Sequence, residues 1–311
     1  MFRYKETYFS LKSKKCIAFS FRILQERAAL LSFFACFDNS PQIQYTNLTN
    51  FAAQYSEYTM LNHKTFGQGP ALIVLHGLFG SLDNWVTHAR VWEKDYSVFL
   101  IDQRNHGKSP HHESFNYPDM AKDLYEWMEE NGIYRAHLLG HSMGGKTVMQ
   151  FAGDYPDHVD KLIVADMAPK AYPPHHEAVL RALRLMDLTE LESRKAAEVF
   201  LMENLNQDVA TTQFLLKGLG RDEQNRFVWK FNLPTILENY DNILAAVTPE
   251  TFFGKTLFLS GGASHYVEES DHELILTYFP NAEFQVMEGI GHWLHAEAPA
   301  DFIGRVSEFL K

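Results

Sequence analysis

Three short segments of this sequence carry the residue types that acyl transfer needs. In Gly140-His141-Ser142-Met143-Gly144 a serine stands between glycines, directly after the apolar run His137 to Leu139 and at the start of a helical pattern. A serine in that layout sits in a strained turn at a strand end, and the helix N-terminus behind it adds partial positive charge where an oxyanion would form. A serine hydroxyl is a poor nucleophile at neutral pH and needs an imidazole to take its proton. Gly291-His292-Trp293, between the last apolar run and the last helical pattern, offers His292 for that task, with His265 and His295 as competitors. His76-Gly77-Leu78-Phe79-Gly80-Ser81 follows an earlier apolar run and supplies the second backbone N–H of an oxyanion hole. The expected donors are Leu78 and Met143, with Phe79 the less favoured alternative.

The acid that orients the imidazole is the open question. In many hydrolases built this way it follows the penultimate strand, but the segment Ser260 to Tyr266 contains no carboxylate, and Ser264 occupies the slot. Glu268, Glu269 and Asp271 come later, where acidic side chains begin a helix and complement its dipole. Asp166 ends the run Lys161 to Ala165, one strand along from the serine. Neighbouring strands are about 4.8 Å apart, so a carboxylate there reaches a loop folding over the sheet end. The reading favours Asp166, with Glu268 and Asp271 as alternatives. The polar turn Asp102 to Ser109 reads as structural, with Arg104 holding loops through charge-assisted hydrogen bonds. The pairs His111-His112 and His175-His176 lack the spacing of a metal site, and no Gly-rich nucleotide motif is present, so neither metal nor cofactor is expected.

Elements able to position these residues follow from the pattern of apolar runs. Ala71 to Leu75, Ser97 to Ile101, His137 to Leu139, Lys161 to Ala165, Thr256 to Leu259 and Phe284 to Val286 read as strands buried on both faces. Helical stretches alternate with them at Asp83 to Lys94, Asp119 to Asn131, Gly144 to Tyr155, Asp271 to Phe279 and Ala300 to Leu310. The expected class is α/β, a mostly parallel sheet flanked by helices. From about 171 to 249 the alternation stops and only helical windows remain, which predicts a helical cap inserted before the penultimate strand. Within it Phe200, Leu201, Met202, Phe214, Leu215 and Trp229 could line an acyl pocket, and the substrate-binding set is taken as Phe79, Met202 and Trp229.

The formal charge of −11 argues against nucleic acid as a partner, and no apolar run is long enough for a membrane span. That charge is uneven: residues 1 to 59 hold 7 Lys and Arg against 4 Asp and Glu, and the remainder holds 21 against 35. Both cysteines, Cys16 and Cys36, lie in the first segment, so residues 60 to 311 have no disulfide framework. The first segment reads as an extension upstream of a start at Met60, giving a cytoplasmic protein, or as a transit peptide leading to the mitochondrial matrix. Nothing in the sequence specifies an oligomeric state.

Taken together, residues 60 to 311 resemble the α/β-hydrolase superfamily. The segments His76 to Trp85, Gly140 to Lys146 and Gly291 to Glu297 resemble the YbfF-type acyl esterases, a group with mitochondrial relatives among the α/β-hydrolase domain-containing proteins. The resemblance implies the α/β-hydrolase fold, a serine esterase acting on a small-molecule acyl ester or an acyl-CoA thioester, and an acid at Asp166. Phe231-Asn232-Leu233 resembles the group's cap, but Pro234 stands where some relatives carry an Asp assigned as the acid. A lyase or carbon–carbon bond hydrolase on the same fold, and a non-catalytic ligand-binding member, are the competing readings.

Overall fold

A computed structural model describes residues 60–311; the expectations for residues 1 to 59 lie outside the described residues. Its strands are β1 His63–Phe66, β2 Ala71–Leu75, β3 Ser97–Ile101, β4 Ala136–His141, β5 Val159–Ala165, β6 Leu219–Arg221, β7 Phe227–Trp229, β8 Lys255–Gly261 and β9 Ala282–Met287. Seven of them form one sheet in the order β1-β3-β2-β4-β5-β8-β9, in which only β1 is antiparallel to its neighbour. The helices are α1 Val86–Trp92, α2 Tyr117–Glu130, α3 Met143–Asp154, α4 Glu177–Leu185, α5 Arg194–Asn204, α6 Val209–Lys217, α7 Leu233–Glu238, α8 Tyr240–Leu244, α9 His272–Tyr278, α10 Leu294–Glu297 and α11 Pro299–Leu310. This is the α/β-hydrolase fold.

The continuous apolar strands are explained by burial on both faces. Along β2, Ile73 and Leu75 join the core beneath α2 and α3, and Leu72 and Val74 join the opposite core formed with α1 and α11. All four are 1% exposed or less, and each contributes about 1.5–3 kcal/mol relative to exposure. Parallel strands also stack their C-terminal ends along one edge, where loops converge on a ligand. Here the register pairs Leu75 with Gly140, His141 with Ala165, Ala165 with Leu259 and Gly261 with Met287. Ser142 and Asp166 therefore follow directly from paired residues on adjacent strands.

Two strand regions escape the sequence pattern. The edge strand β1 was not expected, because Lys64 and Thr65 are exposed and only His63 and Phe66 are half-buried; a strand that buries so little has no apolar run. Between β5 and β8 the chain forms α4 to α8, but it also forms the antiparallel pair β6–β7, against the expectation of helices alone. Each of these strands is three residues long, and the connecting Asp222 organises the turn by accepting from the backbone of Gln224 and Arg226. The expected helix from Asp83 divides into a 3-10 turn, Leu82–Trp85, followed by α1. Among the described residues no helix is long and apolar enough to cross a membrane.

Candidate active site

Ser142 is held between β4 and α3 with φ 54° and ψ −119°, a left-handed conformation that a residue with a side chain adopts only under constraint. The constraint is steric and local. A Cβ on Gly140 would lie 2.1 Å from the Gly144 carbonyl oxygen, and one on Gly144 would lie 2.6 Å from the Leu75 carbonyl oxygen. Strand, turn and helix thus approach more closely than any larger residue permits. The turn is pinned across the sheet by the Ser142 N–H, which donates to Ala165 at 3.1 Å.

Asp166 directly follows β5 with its own left-handed backbone, φ 51°, and is completely buried. Its carboxylate is fully engaged: Oδ1 accepts from the Gly261 N–H at 3.0 Å, and Oδ2 accepts from Ser264 Oγ and from His292 Nδ1 at 2.7 Å. Nδ1 of His292 is therefore the protonated nitrogen, and Nε2 is left as the basic one. Ser264, which occupies the slot where many hydrolases carry the acid, helps to fix the carboxylate instead. Glu268 and Asp271 stand apart from the imidazole. Glu268 caps and Asp271 ends the 3-10 turn before α9, and Asp271 pairs with Lys170 at 2.6 Å.

The His292 ring is sandwiched. The Tyr266 ring stacks on it at 3.8 Å between centroids and 16° between planes. On another side lies His141, whose Nε2–H donates to the His292 carbonyl at 2.9 Å. Burial and the nearby His292 push His141 down to about 3, so it stays a neutral prop. His295 stacks on Trp85 below, buried and neutral, while His265 is exposed beside Glu268.

The loop 76–81 lies against the serine turn, since a Cβ on Gly77 would come within 3.2 Å of Ser142 Cβ. Its shape is set by the turn after β3. His76 Nε2 accepts from the Gln103 N–H at 3.1 Å while its Nδ1 donates to Gly77. The Phe79 N–H donates to His106 Nε2 at 3.2 Å, which removes Phe79 as a free donor. Leu78 and Met143 N–H have no hydrogen-bond partner among the described residues. Arg104 anchors the same turn through a two-pronged pair with Asp123 at 2.6 and 2.7 Å. Gln103, His106 and Tyr266 carry no sequence motif that would single them out, and His141 stands in the serine motif with nothing there to mark its role, because each acts through a partner distant along the chain.

One cavity of about 400 Å³ is lined by Ser142, His292, Leu78, Phe79, Phe214 and Trp293, among others. Of the substrate-binding set, Phe79 lines it and Met202 and Trp229 do not. Trp229 is stacked flat on Phe231, which in turn packs on Phe79, so it sits two layers behind the wall. Met202, on α5, offers its carbonyl to the Gln207 N–H, and the cavity is met instead by Leu205 and Asn206 at the end of that helix. Lys146 is fully buried and donates to the carbonyls of Leu244 and Ala245. A serine at a strained elbow and a carboxylate-paired imidazole on one cavity, with unpaired N–H groups on Leu78 in the lining and on Met143 next to Ser142, are the parts of acyl transfer through a covalent serine ester.

Comparison with known proteins shows the family. A family profile described as the α/β hydrolase fold matches residues 70–189. The chain is 35% identical over 240 residues to esterase YbfF of Escherichia coli, covering 77% of this chain and 92% of that one. It is 38% identical over 250 residues to the mouse sn-1-specific diacylglycerol lipase ABHD11, covering 78% and 81% respectively. Among solved structures, a marine microorganism esterase superposes with a TM-score of 0.79 at 40% identity, covering 81% of this chain and 99% of that one. The chain belongs to the α/β-hydrolase family, among its YbfF-type esterases with their α/β-hydrolase domain-containing relatives.

Proposed function

We propose that this carboxylic ester hydrolase works through an acyl-enzyme on Ser142, with His292 as base, Asp166 as orienting acid and the Leu78 and Met143 N–H groups as oxyanion hole. The observation that carries the reading is the 2.7 Å Asp166–His292 hydrogen bond on an imidazole that opens to the same cavity as Ser142. His292 Nε2 takes the Ser142 proton as Oγ attacks the ester carbonyl, and the two N–H groups hold the oxyanion. The imidazolium then protonates the departing alcohol. Water, deprotonated by the same nitrogen, releases the acid and restores Ser142. Asp166 stays ionised throughout, keeping the ring in the productive tautomer and stabilising its cation.

The substrate is an uncharged acyl ester in preference to an acyl-CoA thioester. Among the described residues no lysine or arginine lines the cavity, Lys146 is buried in carbonyl contacts and Lys170 is paired with Asp271. An anionic carrier would find no cation there. The domain reading that goes with this is a hydrolase body over 60–311, with residues 171–249 as a cap over the acyl site. The basic segment 1–59 supports delivery to the mitochondrial matrix when translated, and a cytoplasmic enzyme when translation starts at Met60. The N-terminal residue of the mature chain distinguishes the two.

The test is a fluorophosphonate probe together with a panel of p-nitrophenyl esters and matched CoA thioesters on the full chain. Labelling at Ser142 and turnover of the esters are expected, both lost in Ser142→Ala by a factor on the order of 10⁴ or more. Turnover near that of the unmodified enzyme in Ser142→Ala would end the proposal.

A further inference from the structure

The cap side of the cavity mixes apolar Val179, Leu205, Phe214 and Leu215 with polar His175, Asn206, Asp208 and Thr211, and His176 joins them just before α4. Its ring faces Phe79 edge-on, with 6.2 Å between centroids. The hydrogen bonds around it assign its tautomer. The Tyr240 hydroxyl accepts the His176 backbone N–H at 3.1 Å and lies 2.8 Å from Nδ1. The hydroxyl proton has no other acceptor among the described residues, so it is donated to Nδ1, and the ring proton resides on Nε2. Burial and the neighbouring His175 and His292 hold the ring neutral, with its pKa pushed down to about 3.

His176 thus presents an Nε2–H donor that no acceptor among the described residues satisfies. It is not sealed among protein atoms, as Nδ1 of His88 and Nδ1 of His295 are, and its residue lines the substrate cavity. A largely buried neutral donor is costly to leave unpaired, so a ligand that carries an acceptor there is favoured over one that does not. The acceptor is uncharged, because the cavity holds no lysine or arginine to compensate an anion.

We propose that His176 is a specificity residue whose Nε2–H binds a second, uncharged oxygen of the substrate, so that preferred substrates are esters bearing an ether, hydroxyl or further ester oxygen beyond the scissile group. The proposal rests on the reading of Ser142 as nucleophile in the same cavity. The oxygen belongs to the acyl part or to the alcohol part, and two arms of one experiment separate these.

Matched ester pairs, in which one chain oxygen is replaced by a methylene, are compared by kcat/KM, one pair altered in the acyl part and one in the alcohol part. The native chain is expected to prefer the oxygen member of one pair by roughly five- to thirty-fold. In His176→Phe that preference falls to near one, and in His176→Gln, which keeps an N–H donor, part of it returns. No preference in either pair for the native chain overturns the proposal without any variant having to fold. A preference that survives in His176→Phe overturns it as well. Unimpaired turnover of the methylene members by Ser142→Ala would instead remove the nucleophile reading, whatever the pairs show.

Discussion

The two walls of the cavity are built in opposite ways. On the sheet side, the lining residues Phe79 and Ser142 and, behind them, Asn105 and Asp166 hold left-handed backbone, with φ between 51° and 65°, and all but half-buried Ser142 are buried. Strain of that kind costs on the order of 1–3 kcal/mol per residue and persists only where the surroundings over-determine it. Here they do: His106 fixes Phe79, Gly261 and Ser264 fix Asp166, and the close glycines fix Ser142. On the cap side, left-handed residues also occur, at Asn206 and Gln207, but both are exposed in the short connection between α5 and α6. The lining there mixes apolar side chains with His175, His176, Asn206, Asp208 and Thr211, carried on separate short helices and their connections. A wall that cannot adjust suits reaction geometry, and a wall that can adjust suits the choice among substrates.

The sharpest way to break this comparison is to disturb the rigid wall at its most buried point. Asp166→Asn is expected to lower kcat by about 10³- to 10⁴-fold, since the amide supports the wrong imidazole tautomer. Glu268→Gln, at the exposed rim, is expected to stay close to the unmodified enzyme in the same assay. A large loss in Glu268→Gln alone would transfer the acid role to the later segment.

Acid titration probes the same wall through its buried rings. His106 and His141 are driven by burial from an ordinary value of 6.5 down to about 3. The unfolded chain takes up these protons first as pH falls. The stabilisation from each ring is therefore complete above pH 6.5 and is lost as pH falls toward 3, by about 1.4 kcal/mol per pH unit for each group. Urea midpoints measured from pH 7 to pH 4 should fall steadily, and less steeply in His106→Gln once compared with that variant's own value at pH 7. A midpoint independent of pH over that range would contradict the neutral-ring assignment.

Smaller effects are expected where one wall meets the other. Tyr266→Ala uncovers one face of His292 and should reduce kcat about ten-fold, whereas Tyr266→Phe, which keeps the stacked ring, should retain most of it. Equal losses in both variants would assign the role to the hydroxyl and its contact with His175. On the adjustable wall, Phe214→Ala should move the acyl-chain preference toward longer chains by a few-fold, read from kcat/KM across a chain-length series. An unchanged preference would mean that α6 does not meet the acyl chain.

How much of this was legible beforehand follows the range of the interactions involved. The strands β2 and β3 were readable to the residue, because burial on both faces writes an uninterrupted apolar run into the chain. The edge strand β1 and the β6–β7 pair were not, since an edge or a three-residue ladder demands little hydrophobicity. Phe200 and Met202 looked as eligible for the acyl pocket as Phe214, because helical spacing marks a face without saying what it faces. Only the packing of α5 and α6 put Leu205 and Phe214 on the cavity and left Met202 off it.

The sequence alone determined the local chemistry: a serine between glycines at a strand–helix junction, a late histidine, a glycine-bearing loop after an early strand, and a carboxylate missing from the penultimate loop. These are short-range features, dictated by the sterics of a few consecutive residues. Tertiary structure decided which groups share protons. The bond between Asp166 and His292 joins residues 126 positions apart, the capture of the Phe79 N–H by His106 spans 27, and the tautomer of His176 is set by Tyr240 across 64. Hydrogen bonds form only between groups brought within about 3 Å, and for these pairs strand register and cap docking create that proximity, which no spacing along the chain encodes.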